Sequence, residues 1–111
     1  KQYQQRVIGD FLIDKVVEVY QLKDATIFQT NIREYRHAKW IFYHLYRKYT
    51  ELSRDKIGKQ FSQFGSNERK VRTSCHRCQE LLDTSFELVP GFKQNYDRIE
   101  KALIRFIADL K

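Results

Sequence analysis

The stretch that decides the fold is LSRDKIGKQFSQFGSNERKVRTSC, residues 52–75. Ser53 is a favourable N-cap residue, and Leu52 and Ile57 occupy the two positions of a hydrophobic staple around it. A helix is therefore predicted to begin at Ser53. Gly58 falls inside this helix, where glycine is costly unless another helix has to approach its backbone closely. The pattern predicts a second helix packed against Gly58.

This second helix follows a turn of small and polar residues, SQFGS at 62–66. Asn67 is a suitable cap for it, and Glu68 is well placed against its positive N-terminus. Helical spacing predicts an inward stripe made of Val71, Cys75, Cys78 and Leu82. The opposite face then carries a mostly basic group: Arg69, Lys70, Arg72, Thr73, His76 and Arg77. Two helices divided in this way are typical of a helix-turn-helix, whose second helix enters a groove of DNA.

Three further amphipathic segments surround this pair. A leading helix is predicted over 4–20, a long helix over 33–50, and a closing helix from about Asn95, after a Pro-Gly break. A single helical turn is predicted at 24–28. With only four glycines and one proline in the chain, a fold of many short strands is excluded. The expected fold is all-α, a five- to six-helix bundle that contains a helix-turn-helix.

One domain is expected to account for the chain, whose 111 residues suffice for one core and not for two. Within 1–111, the leading helix and its connector occupy 1–30, the long helix and the helix-turn-helix occupy 33–85, and the closing segment occupies 92–111. The chain opens at Lys1 and contains no methionine. We therefore expect it to be a fragment or domain of a longer protein, whose partner besides DNA is either a preceding domain of that chain or another protein.

Positive charge is concentrated in the middle of the chain, which as a whole carries +7. Residues 33–79 hold twelve Lys/Arg and four Asp/Glu, a net +8, whereas 1–32 are neutral and 80–111 are at −1. Such a localised excess is typical of a surface that faces phosphates. A solvated basic face without a partner is the alternative.

No catalytic, cofactor or metal site is predicted. Residues 75–78, CHRC, offer two cysteines, but a structural zinc site needs four ligands and the chain has no second cysteine pair. Both cysteines fall on the inward stripe, so we interpret them as small buried residues in a reducing compartment. The glycines form no phosphate loop, and His37 and His44 lack a neighbouring nucleophile. Because no apolar stretch approaches membrane-helix length, we expect a soluble protein without a membrane partner, and the cysteine usage makes the cytoplasm its expected location.

Three aromatic residues of the long helix, Trp40, Tyr43 and Tyr46, lie off its main apolar stripe. Either a second element covers them, or they form an exposed aromatic surface. Packing in the core or at its edge is favoured over stacking of nucleic-acid bases. An exposed set would support a different function, the binding of a protein partner.

Several stretches carry a family resemblance: VEVYQLKDATIF at 17–28, Arg36-His37-Ala38 at the start of the long helix, Ile57-Gly58-x-x-Phe61 leading into Val71 and Cys75, and the closing amphipathic helix. Their order and spacing resemble the C-terminal DNA-binding domain of the bacterial chromosomal replication initiator DnaA. The resemblance covers roughly residues 16–110. It implies a Trp-repressor-like helical fold and a role in DNA replication initiation.

In that family the second helix of the helix-turn-helix contacts bases in the major groove through Asp-His-Thr-Thr at its start. A basic loop before the long helix enters the minor groove. In this chain the first segment corresponds to residues 67–70, Asn-Glu-Arg-Lys, so the base-reading residues are altered. The loop is shortened to residues 29–33, which leaves Arg33 and Arg36 for its role.

We therefore predict a nucleoid-associated protein that binds double-stranded DNA with a sequence preference and is not an enzyme. The candidate residues on the second helix are Asn67, Arg69, Lys70, Arg72, Thr73, His76 and Arg77. The candidates for holding the DNA backbone are Arg33, Arg36, Arg54, Lys56 and Lys59. One alternative is a protein-interaction module that keeps the fold but has lost origin-box recognition. Another is binding of single-stranded nucleic acid, which would need aromatic side chains within the basic surface.

Overall fold

Five α-helices account for most of the residues that the computed structural model describes, 2–23 and 33–110. The helices are α1 (Gln2–Tyr20), α2 (Arg33–Thr50), α3 (Arg54–Gln60), α4 (Glu68–Asp83) and α5 (Phe92–Asp109), with a short 3₁₀ segment, Ser62–Phe64, between α3 and α4. The described residues contain no strand, which confirms the all-α class. The helical turn predicted at 24–28 lies outside them. Within the same residues, no helix combines the length and the apolar character needed to cross a membrane.

The centre of the fold is α2, because it packs against both α1 and α4, while α5 packs mainly on α1. Each of these helices buries an apolar stripe, and removal of that surface from water is the main stabilising contribution. The buried side chains include Leu12 and Val16 of α1, Ile41, Phe42 and Leu45 of α2, Val71 and Cys78 of α4, and Ile99 and Leu103 of α5. The rings of Phe11 and Phe106 stack with centroids 4.1 Å apart and join α1 to α5.

Tyr43 and Tyr46, which lie off the main stripe of α2, are only 1% and 0% exposed. An exposed aromatic surface is therefore wrong for both, and coverage by a second element is confirmed. The hydroxyl of Tyr43 is hydrogen-bonded to Oγ of Ser66 at 2.6 Å. The hydroxyl of Tyr46 donates to Oε1 of Gln60 at 3.0 Å. The two tyrosines thus tie α2 to the end of α3 and to the turn before α4.

The beginning of α3 and its contact with α4 agree with the sequence prediction. Oγ of Ser53 accepts the backbone N–H of Lys56 at 3.1 Å, which confirms the cap. Gly58 is buried, and a Cβ built on it would lie 2.5 Å from the carbonyl carbon of Asn67. Since that neighbour is backbone, the start of α4 would have to move to admit any side chain. The predicted close approach at Gly58 is confirmed.

The start of α5 differs from the prediction, because the helix begins at Phe92 and not at about Asn95. Gly91 adopts a left-handed conformation with φ 80° just before it, which glycine accepts without strain. Phe92 is buried, with its ring centroid 5.9 Å from that of His37 on α2. The extra turn is therefore stabilised by a long-range contact that spacing along the chain does not reveal.

Candidate nucleic-acid interface

The outer face of α4 holds most of the predicted DNA-binding residues. On its inner face Val71, Ser74 and Cys78 are buried. Cys75 and Leu82, which were predicted on the inward stripe, are half-buried. The polar residues predicted to face outward are all exposed: Arg69, Lys70, Arg72, Thr73, His76 and Arg77. The predicted division of α4 into a buried and a basic side is confirmed, with Ser74 as an inner residue that the spacing did not include.

The start of α4 is held at a defined position. Oδ1 of Asn67 accepts the backbone N–H of Lys70 at 2.9 Å, as the predicted cap requires. Gly65 closes the preceding turn in the left-handed region, with φ 84°. The backbone contact at Gly58 fixes the same point from the side of α3. Because backbone positions the first turn, the directions of Arg69 and the residues after it follow from helix geometry.

A groove of about 860 Å³ lies between α4, the C-terminal half of α2 and the start of α3. We refer to it as the cationic groove. Its lining residues are His44, Arg47 and Lys48 of α2, Arg54 of α3, and Arg72, Thr73, Cys75, His76, Arg77 and Gln79 of α4. No lining residue within the described ranges carries a carboxylate. A concave surface lined by one sign of charge attracts ligands of the opposite sign, so the ligand class that fits is a polyanion.

Several cations of the groove have a carboxylate at its edge. Glu68 contacts two of them, with Oε1 3.0 Å from Nη1 of Arg72 and Oε2 3.8 Å from Nε of Arg54. Half-exposed ion pairs of this kind contribute about 0–1 kcal/mol each, so exchange of the carboxylate for a phosphate costs little. Arg47 is exposed and forms no ion pair with the residues that the structure describes. It is the cation of the groove most available to a ligand.

One wall of the groove is organised by His44. Its Nδ1 lies 2.9 Å from the hydroxyl of Tyr96, and its Nε2 lies 2.9 Å from Oε1 of Gln79. Burial raises the pKa of Tyr96, so the phenol keeps its proton and donates to Nδ1. The proton of the neutral ring then sits on Nε2 and is donated to Gln79. Burial also lowers the pKa of His44, with Lys48 and Arg47 acting in the same direction. At neutral pH the groove therefore contains a neutral imidazole that joins α2, α4 and α5.

The two cysteines are packing residues in this structure. Cys78 is fully buried behind the groove, and Cys75 forms part of its wall. Burial raises the pKa of both thiols, which keeps them protonated and poorly nucleophilic. Across 2–23 and 33–110, no three His, Cys, Asp or Glu side chains cluster in a way that would hold a metal ion.

The structure gathers five of the predicted residues into the cationic groove: Arg54, Arg72, Thr73, His76 and Arg77. Asn67 and Arg69 lie exposed at the tip of α4, beside the groove. Lys70 is directed to the other flank of α4, where its Nζ donates to the carbonyl oxygen of Gly65 at 2.8 Å. For these residues the sequence predicted exposure on the outer face of α4, but not on which side of that face each residue lies.

Three other predicted residues lie away from the groove. Lys56 and Lys59 are exposed on α3, and Nζ of Lys59 is 3.1 Å from Oδ2 of Asp55. Arg36 lines a separate hollow that includes Trp40 and Arg77. Arg33 begins α2, but its side chain is not among those described, and the shortened loop at 29–32 is also outside the described residues. Their assignment to the DNA backbone remains a prediction.

The C-terminal half of α2 was missed as a part of the site. Three of its residues, His44, Arg47 and Lys48, line the groove. A signal was present in the sequence, because His44, Arg47 and Lys48 stand at positions i, i+3 and i+4, which places them on one side of a helix with 3.6 residues per turn. What the sequence lacked was any sign that this side faces α4, which the hydrogen bond between His44 of α2 and Gln79 of α4 shows.

Comparison of this chain with protein-family models, with curated proteins and with solved structures gave no significant match.

Proposed function

We propose that the chain binds double-stranded DNA through a helix-turn-helix formed by α3 and α4, with α4 as the helix that enters the major groove. The observation that carries the proposal is the cationic groove beside the exposed outer face of α4. An α-helix with its side chains is about 10–12 Å wide, and the major groove of B-DNA is about 12 Å wide. A helix that presents an exposed polar face with cations along its edge fits that groove.

Within the all-α class, the arrangement we propose is the Trp-repressor-like one of the DnaA C-terminal domain. Its support is the sequence resemblance together with the backbone contact between Gly58 and the start of α4. In this arrangement the protein acts at the nucleoid. It needs no cofactor, since the groove offers cations for phosphates and polar side chains for base edges.

The proposed contacts divide between phosphates and bases. Arg47, Arg54 and Arg72 all line the groove and are suited to phosphate oxygens. Arg69 and Thr73 occupy the outermost face of α4, where base edges would lie. Arginine is the residue most often used to contact guanine, and the threonine methyl can contact thymine.

The tip of α4 differs from the DnaA family in a way that bears on specificity. The side chain of Asn67 is used as a helix cap, and Glu68 is held between Arg54 and Arg72. Neither is therefore available to contact a base in the way the family's Asp-His-Thr-Thr segment does. We expect base contacts to begin at Arg69 and the preferred sequence to differ from the family's origin box.

Selection of bound sequences from a random pool of duplexes tests this function. We expect an enriched sequence, and we expect Arg72→Ala to weaken binding to all duplexes and to lower the slope of log affinity against log salt by about 0.9, because one phosphate contact is lost. The matched control is Arg98→Ala, which removes an exposed arginine from α5 and should leave binding unchanged. The proposal fails if the protein retains no duplex at low salt, or if the two variants bind DNA equally well.

The protein-interaction alternative has lost the observation that supported it. Two of the three aromatic residues it relied on, Tyr43 and Tyr46, are buried. Trp40 is half-buried beside Arg36 and Arg77, so it is also the one aromatic residue of the three suited to stacking on a base. Binding of a single strand therefore has to be measured beside binding of the duplex.

A further inference from the structure

A second group of cations lies on the flank of α4 opposite the cationic groove. Lys39 of α2 and Lys70 of α4 line a small hollow together with Gly65 and Ser66. Burial lowers the pKa of Lys39, and the charges of Lys70 and Arg36 lower it further. Neither Lys39 nor Lys70 forms an ion pair with a described residue. This pair therefore carries mutual repulsion that an anion would relieve.

The two groups of cations are separated by the outer face of α4. Lys70 and Arg72 are two residues apart, which places them about 200° apart around a helix of 3.6 residues per turn. Arg69 and Thr73 lie between them on the exposed side. A helix lying in a major groove has one phosphate backbone on each side, and its outermost residues face the bases. The positions of Lys70, of Arg72 and of the two residues between them match one phosphate backbone, the other phosphate backbone and the base edges.

We infer that α4 is clamped between the two strands of a duplex, with one strand's phosphates on Arg47 and Arg72 and the other strand's phosphates on Lys39 and Lys70. This inference rests on the proposed DNA binding and adds to it the form of the nucleic acid and the residues that meet each strand. It makes Lys39, which the sequence pattern did not single out, a binding residue. The clamp requires two backbones, so a single strand engages one flank only.

The test compares the salt dependence of binding for a duplex and for one of its separated strands. Each phosphate contact to B-DNA contributes about 0.9 to the slope of log affinity against log salt. We expect Lys39→Gln and Arg47→Gln each to lower the duplex slope by about 0.9, and the double variant to lower it by about 1.8. On the single strand only one of the two substitutions should have an effect.

Ethylation interference on the selected duplex then locates the lost contacts. Lys39→Gln should remove interference from phosphates of one strand, and Arg47→Gln should remove it from the other strand across the major groove. Lys101→Gln, an exposed lysine of α5, is the charge-matched control. Lys39→Arg should keep the slope of the unmodified protein, because it keeps the positive charge. Thermal unfolding of each variant reports whether the fold is intact.

The outcomes separate this inference from the proposed function. If the unmodified protein binds neither duplex nor single strand, the proposed function fails and the inference fails with it. If it binds duplex but folded Lys39→Gln keeps the full slope, the clamp is overturned while DNA binding stands. The clamp is also overturned if Lys39→Gln and Arg47→Gln lose the same phosphates, or if both substitutions weaken single-strand binding as much as duplex binding.

Discussion

Two helices of this protein, α4 and α5, have the same formal charge but present very different surfaces. Each carries four Lys/Arg and three Asp/Glu. In α4 all four cations fall within residues 68–77, beside a single acid, whereas in α5 the cations and acids are interspersed along the whole helix. The structure then places α4 between α2 and α3, whose arginines add to its own, while α5 packs on α1.

This difference shows that the position of charges, more than their number, makes a surface fit for a polyanion. Residues from the 72–79 stretch of α4 line one groove together with Arg47, Lys48 and Arg54 from neighbouring helices. An acid of α5, Glu100, instead pairs with Lys48, with Oε2 2.7 Å from its Nζ, at the edge of the same groove. One helix therefore concentrates positive charge, and the other partly neutralises it.

The largest effect is expected when the placement of α4 itself is disturbed. Gly58→Ala puts a Cβ 2.5 Å from backbone of Asn67, and overpacking of this kind costs about 1–3 kcal/mol. We expect chemical denaturation to show a loss near the top of that range, together with a loss of DNA binding. Gly9→Ala is the control, since its Cβ would meet the ring of Tyr46 at 3.2 Å, which can shift slightly. Equal stability of the two variants would contradict the role of Gly58.

The next effect is a direct test of the comparison between α4 and α5. Arg47→Gln with Arg72→Gln removes two charges from the groove beside α4, and we expect weaker duplex binding by about 2 kcal/mol, roughly 30-fold. Arg98→Gln with Lys101→Gln removes the same charge from α5 and should have no effect at moderate salt. Fluorescence anisotropy titrations measure both. Similar losses in the two double variants would mean that net charge alone drives binding.

A smaller effect, of opposite sign, is expected from Glu68→Gln. Its carboxylate contacts Arg54 and Arg72, and its removal releases both guanidinium groups for phosphates. Since exposed pairs are worth about 0.2–1 kcal/mol, we expect duplex affinity to rise by about two- to fivefold. Asp97→Asn, at an exposed acid of α5, is the control that changes charge by the same amount. A fall in affinity with Glu68→Gln would show that Glu68 contacts the DNA.

The smallest effect concerns pH. Burial lowers the pKa of His44 in the folded chain, so the unfolded chain binds the proton first. The contribution of neutral His44 to the free energy of unfolding is fully present above about pH 6.5, the pKa of an unperturbed histidine, and is lost as the pH falls below that value. Thermal unfolding at pH 7.5 and 5.5 should show a small decrease in stability. His44→Gln should reduce this decrease in stability. His76→Gln, at an exposed position, should leave the decrease unchanged. An unchanged decrease in His44→Gln would assign it to other groups.

Much of the local structure was predictable from short-range physics. The caps at Ser53 and Asn67 are confirmed because an N-cap satisfies backbone N–H groups within its own turn. The need for a close neighbour at Gly58 was also predictable, because glycine destabilises a helix interior unless its missing side chain makes room for another backbone. The start of α5 at Phe92 was not predictable from the sequence, since it depends on a contact with His37 from a distant part of the chain.

The candidate site was predictable only in part, and the reason is the same. Spacing along α4 determines which of its side chains face outward, so the exposed set from Arg69 to Arg77 is confirmed. Spacing along α2 places Arg47 and Lys39 off the apolar stripe of Ala38, Ile41, Phe42 and Leu45, but it does not reveal that they lie on either side of α4.

The sequence by itself thus determined the helices, their caps, the buried and exposed sides of α4 and the concentration of positive charge in 33–79, because each depends on neighbours within a few residues. The tertiary structure decided which charges meet. It buried Tyr43 and Tyr46, brought Arg47 and Arg54 to one flank of α4 and placed Lys39 on the other. These placements depend on how α2 packs against α4, a long-range contact set by the shapes of two buried surfaces and not by the pattern of either helix alone.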